Sequence, residues 1–273
     1  MIRKFLPITV LCLLFAATSQ QALAHVAYIN MLTAPNTTLT ANADGSTTYQ
    51  RDWVVTSNGA WANGTDANWA DSHTVPWHLI NITDPAGAYI NLSISGGITS
   101  IPSNPGLTPL GDLTPAFSLY SGTVPGAAHE GAAALPVPPG KEGAWNALGN
   151  TTMANDAGQI KTITYLTHVG DVNGTATSVS LNNYYLAAGQ YTVVLGGTCY
   201  ECYPHYDRLD PNSPTFDPNY ENFIIDIEND AFQARGYRSV LTILPASVPV
   251  PAAIWLMGSG LLGLFGMRRT RKS

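Results

Sequence analysis

The side chains best suited to chemistry here are six histidines, at positions 25, 73, 78, 129, 168 and 205. Neutral imidazole is the commonest protein ligand for metals and suits copper and zinc. His73 ends Asp71-Ser72-His73, four residues before an apolar run that opens at Trp77. His129 closes Gly126-Ala127-Ala128-His129, and His168 ends a β-branched run just before Gly170-Asp171. If the runs before His129 and His168 are strands antiparallel to the one after His73, all three histidines gather at one end of a sheet. That set could hold a metal ion, copper being the preferred one. His78 opens its own run and can point either way, so it ranks lower. Taken singly, each is equally a loop histidine satisfied by backbone or water.

Cys12 falls within the first 24 residues, which leaves Cys199 and Cys202 as the cysteines of the remaining chain. In an oxidising compartment such a pair forms a local disulfide, although two thiolates with His205 would also suit zinc or copper(I). Haem attachment would need His directly after the second cysteine, where Tyr203 stands. Asp207, Asp210 and Asp217, with Asn212 and Asn219, make an acidic loop whose spacing fits no EF-hand. No nucleophile elbow, His-Glu-x-x-His helix or phosphate loop occurs in the sequence. Trp53, Trp61, Trp69 and Trp77 recur at every eighth position. They either fold back onto the protein or offer aromatic surfaces to sugar rings.

The elements that must position these residues are strands. Helical periodicity is almost absent, and short alternating or β-branched runs recur between Gly, Pro, Asn and Asp. Strands are expected at residues 25–31, 47–56, 77–83, 88–94, 116–120, 159–166, 177–181, 189–195 and 239–244. Asp84-Pro85-Ala86-Gly87 makes a hairpin turn between the third and fourth. His78-Leu79-Ile80-Asn81-Ile82 and Ile90-Asn91-Leu92-Ser93-Ile94 alternate, so each buries one face. The expected fold is all-β, an antiparallel two-sheet sandwich of jelly-roll type, with an N-terminal signal helix and a C-terminal transmembrane helix. Residues 57–76, 122–155 and 198–217 read as long loops, a length that is uncommon without a function.

The two ends read as targeting signals. Arg3 and Lys4 precede an apolar run from Phe5 to Ala17, and Ala22-Leu23-Ala24 supplies a cleavage site. This is the pattern of a secretory signal peptide over residues 1–24; cleavage after Ala24 makes His25 the new N-terminus. Residues 25–246 form the body and residues 247–273 a tail. In the tail, Val248 to Met267 is apolar apart from Ser259, and Arg268, Arg269, Arg271 and Lys272 follow. About 18 to 20 apolar residues cross a bilayer, and such a basic cluster stays cytoplasmic, which leaves the body outside. The body holds all eighteen acidic residues but only six basic ones, a formal charge of −12. Such a surface excludes nucleic acid as a partner.

Val248-Pro249-Val250-Pro251-Ala252, the apolar segment and the Arg268-Arg269 end resemble the PEP-CTERM sorting tail in its VPxPA form. That resemblance implies a Gram-negative-type envelope protein, at least transiently anchored in the inner membrane. It also implies handling by signal peptidase and an exosortase-type enzyme, and association with exopolysaccharide or biofilm. Ser72-His73, Trp77-His78, Phe117-Ser118-Leu119-Tyr120 and Ala128-His129 are similar to CorA-type copper(I)-binding surface proteins. For this chain the similarity implies His73 and His129 as ligands and Trp77 as an oxidised tryptophan. The runs around Trp77, Tyr89, Phe117 and Tyr191 resemble the jelly-roll domains of secreted peptidases, which are accessory and not catalytic. The sequence therefore predicts a non-enzymatic surface-sorted protein that binds copper. One alternative is a matrix or polysaccharide-binding protein that uses its Trp-rich loop. A second is a copper oxidase whose N-terminal His25 chelates the metal.

Overall fold

Thirteen strands and one α-helix form among residues 26–61, 69–72, 75–129, 132, 134–135, 144–202, 204–231 and 233–246, the residues that the computed structural model describes. The signal and sorting segments, with Ala24, His25, Val248, Pro249, Pro251, Ala252 and the four terminal cations, lie outside them, as does His73. In chain order the strands begin with β1 (Tyr28–Asn30), β2 (Thr38–Ala41), β3 (Thr47–Val55) and β4 (Trp69–Asp71). Next come β5 (Trp77–Ile82), β6 (Ala88–Ile98), β7 (Pro115–Ser121), β8 (Ala144–Asn146) and β9 (Thr151–Ala154). The last four are β10 (Ile160–Val169), β11 (Ser178–Leu186), β12 (Gly189–Gly197) and β13 (Arg235–Pro245). Helix α1 (Glu221–Ala231) precedes β13.

Two sheets make the sandwich. The six-stranded sheet runs β1-β5-β12-β7-β10-β9, and the five-stranded one β11-β6-β13-β3-β2. A short ribbon, β4-β8, stands apart from both. Every pairing is antiparallel except β1 with β5, which are parallel, Tyr28 facing Trp77. The helix was not expected, although Tyr220, Ile224 and Ile227 carry a faint helical spacing. Tyr220 and Ile224 are buried.

Alternation decides which side chains face the partner sheet. In β5, His78, Ile80 and Ile82 point inward, where Ile80 and Ile82 meet Ile90, Leu92 and Ile94 of β6 in the main core. Trp77 belongs to a second apolar cluster on the opposite side of the same sheet, with Tyr120, Ile163 and Val194. Strands β7 and β12 are buried almost throughout, so the six-stranded sheet is covered on both faces. Continuous apolar runs are the mark of such doubly covered strands.

His78 lies between the sheets, where its Nε2 and the Tyr237 hydroxyl are hydrogen-bonded at 2.9 Å. Burial, reinforced by the Arg51 cation, pushes the His78 pKa down to about 3. Arg51 itself packs over the Trp53 ring, 4.2 Å from its centroid. Between pH 6.5 and 3 the unfolded chain thus binds the His78 proton and the folded protein does not, so stability falls as pH falls. The full effect is up to roughly 5 kcal/mol. Urea titrations across that window should show a steep acid loss for the wild type and a flatter profile for His78→Gln. Equal slopes would contradict this assignment.

Candidate functional site

The outer face of the six-stranded sheet carries Trp77 and His168, two of the expected site residues. One row across it is set by register: Trp77 faces Val194, Val194 faces Ser118, and Ser118 faces His168. A bulge at Leu166 inserts one extra residue into β10, so that Tyr165 pairs with Tyr120 and His168 with Ser118. Without it, residues three apart would point to opposite faces. The bulge brings both to the outer side, where the Tyr165 hydroxyl and His168 Nδ1 are hydrogen-bonded. His168 is half-buried, and its Nε2 has no hydrogen-bond partner among the described residues.

Trp61 covers this end of the row. Its indole Nε1 donates to Ser118 Oγ at 3.0 Å, and Ser118 in turn donates to the Ala147 carbonyl. The Trp61 ring centre is 5.8 Å from that of His168. The close approach needs glycines at the end of β12. A Cβ on Gly197 would collide with the Asn58 carbonyl, and one on Gly196 with the Trp61 backbone. Ribbon β4-β8 covers the neighbouring stretch. Trp145 stands edge-on to Trp77 at 6.0 Å and to Tyr120 at 6.1 Å, and the Tyr120 hydroxyl donates to the Asn146 carbonyl at 2.6 Å. Burial raises the Tyr120 pKa well above the usual phenol range, so this hydroxyl stays protonated.

His129 sits elsewhere. Strands β5 and β7 both flank β12 antiparallel and therefore run parallel to each other, so the chain leaves β7 at the end remote from the start of β5. His129 forms a bridge to Ala154, which faces Ile160 at the beginning of β10. From Ile160 to His168 is roughly 26 Å of extended strand. The expected gathering of three histidines at one end thus fails for His129. It is buried, with Nε2 2.9 Å from Asp156 Oδ1.

The other expected sites are otherwise engaged. Cys199 and Cys202 form a disulfide, so no thiolate pair is left for a soft metal. His205 Nε2 lies 2.8 Å from the Tyr200 carbonyl, and its ring packs on Tyr200 at 4.1 Å. The Asp210 and Asp217 carboxylates accept the Asn212 and Asn219 backbone N–H groups at 2.8 Å and 2.9 Å, as turn formers do. Among the described residues, no group of three or more His, Cys, Asp or Glu could hold a metal ion. Trp61, which covers the sheet, and Trp77, which lies in it, are 1% and 2% exposed and do not offer faces to sugars. The site residue missed from sequence was Tyr165, because nothing in Thr164-Tyr165-Leu166-Thr167 announces a bulge.

Residues 247–272 match the PEP-CTERM protein-sorting motif, which marks an exported cell-surface protein. A search of curated protein sequences found no match. Among solved structures, the chain is similar to CorA, described as a surface-associated copper-binding protein important in Methylomicrobium album BG8 copper acquisition. That match has 12% identity and a TM-score of 0.43, covering 80% of this chain and 98% of that one. It is also similar to MopE, a secreted protein of Methylococcus capsulatus in which an oxidized tryptophan facilitates copper binding. Here the identity is 13% and the TM-score 0.36, covering 72% of this chain and 84% of that one.

Trp61 is the keystone of this cover. Trp61→Ala should cost about 3–5 kcal/mol, and Ser118→Ala, which strands the buried indole N–H, about 1–3 kcal/mol. Chemical denaturation of the two variants checks both. A loss under 1 kcal/mol for Trp61→Ala would mean that the cover contributes little.

Proposed function

We propose that this exported surface protein binds copper without catalysing a reaction, and that His168 is a principal ligand. The supporting observation is the posture of His168. A metal-binding histidine has one ring nitrogen held by a hydrogen-bond partner and the other free to coordinate. Tyr165 fixes Nδ1, and Nε2 is left available beside Trp61. His73 is the second proposed ligand, because it precedes β5 by four residues and the start of β5 and the end of β10 share one end of the sheet. In this reading Trp61, which stacks near His168, is a better candidate for an oxidised aromatic than Trp77. Copper analysis of the purified protein should give close to one equivalent in the wild type. It should fall at least fivefold in His168→Ala and His73→Ala, and stay unchanged in His205→Ala. Undiminished copper in His168→Ala would overturn the assignment.

A second reading keeps copper but moves it to the opposite end. The described chain begins at Val26, whose N–H donates to the Ala128 carbonyl at 2.7 Å, next to His129. Cleavage after Ala24 would make His25, the residue before Val26, the N-terminus, and its amine and imidazole are a copper(II)-chelating pair close to His129 and Asp156. Intact mass would locate the cleavage. Copper(II) binding lost in His129→Ala but kept in His168→Ala would select this reading.

A further inference from the structure

The outer face of the five-stranded sheet is unlike the rest of this acidic protein. Register aligns Tyr185 of β11, Tyr89 of β6 and Leu244 of β13 in one row, and the three are 48%, 39% and 38% exposed. The tyrosine rings pack together with centroids 5.4 Å apart. Tyr185 is held in place although it is exposed. Its hydroxyl donates to the Ala86 carbonyl at 2.9 Å, and a Cβ on Gly87 would stand 2.8 Å from its ring, so the glycine makes room for it. The next row offers short polar groups, Asn91, Thr242 and Thr48, the last two 2.9 Å apart through their hydroxyls. Among the described residues, the outward side of these strands carries one acid and one base. They are Asp52 and Arg238, which neutralise each other at 2.7 Å and 2.8 Å.

We propose that this face binds a neutral polysaccharide, with Tyr89 and Tyr185 as the stacking surface for sugar rings and the Asn/Thr row as its hydrogen-bonding partners. A pinned aromatic pair loses little side-chain entropy on binding, and tyrosine combines an apolar ring with a polar tip. The local charge balance selects a neutral polymer: a body of formal charge −12 repels anionic chains, and this face has no net charge to attract either sign. A membrane suits the face less well. Against acyl chains the Asn/Thr row beside the tyrosines would be buried without hydrogen-bond partners, whereas sugar hydroxyls can pair with it.

The test is affinity electrophoresis of the full chain in a non-sugar zwitterionic detergent, in gels containing hydroxyethylcellulose, dextran or galactomannan, with alginate as the anionic control. At least one neutral polymer should retard the protein, with or without a copper chelator. Tyr185→Ala and Tyr89→Ala/Tyr185→Ala should weaken retardation at least fivefold, and Tyr185→Phe, which keeps the ring, should stay within twofold. Thermal melts confirm that the variants are folded. Four results would overturn the proposal: no retardation of the wild type, retardation by alginate alone, equal retardation of the alanine variants, or a face that instead mediates phosphatidylcholine-vesicle binding or self-association without any glycan effect.

Discussion

The structure depends on the need to cover the six-stranded sheet twice. Its central strands are apolar on both sides, so one face packs against the five-stranded sheet and the other must find a cover from loops. The hydrophobic term is large enough to recruit one, since each fully buried large side chain contributes roughly 1.5–3 kcal/mol. Trp61 and Trp145 meet that demand, and the hydrogen bonds from Trp61 to Ser118 and from Tyr120 to Asn146 fix where they land. Among the described residues of the segments between β3 and β5 and between β7 and β9, Trp61 and ribbon β4-β8 therefore have a structural task. They form a third layer.

That layer determines where chemistry can occur. The inner side of the sheet is closed, and the buried His78 there is held neutral by desolvation and by Arg51. On the outer side, the bulge in β10 turns Tyr165 and His168 to the same face, at the margin of the tryptophan cover. In the proposed reading this half-buried imidazole, with one nitrogen held by Tyr165, is the copper ligand, and Trp61 lies beside it.

Much of this was legible in the sequence. The alternation in β5 and β6 was read as burying one face of each strand, as it does, but the turn at Asp84–Gly87 is not the expected hairpin: β5 and β6 belong to different sheets, so it carries the chain from one layer of the sandwich to the other. The tail was read from three motifs in order, because a sorting signal is linear and needs no fold. What was not legible depends on strand order. Whether β7 runs with or against β5 follows from their sharing β12, which lies far off in sequence, and that relation separates His129 from His168. Strands β4 and β8 are three residues each, too short for any periodicity to show. The bulge at Leu166 leaves no compositional mark, and the helix at Glu221–Ala231 was hidden because its large apolar residues crowd into one β-branched run, Phe223-Ile224-Ile225-Asp226-Ile227.

The central claim is that the tryptophan-covered outer face is the metal-binding side, with His168 at its centre. Anomalous diffraction at the copper absorption edge, from crystals of the copper-loaded mature protein, tests it most directly. The account predicts a copper peak at bonding distance from His168 Nε2, beside Trp61. A peak at His129 and the chain start instead, or no ordered copper on that face, would contradict it.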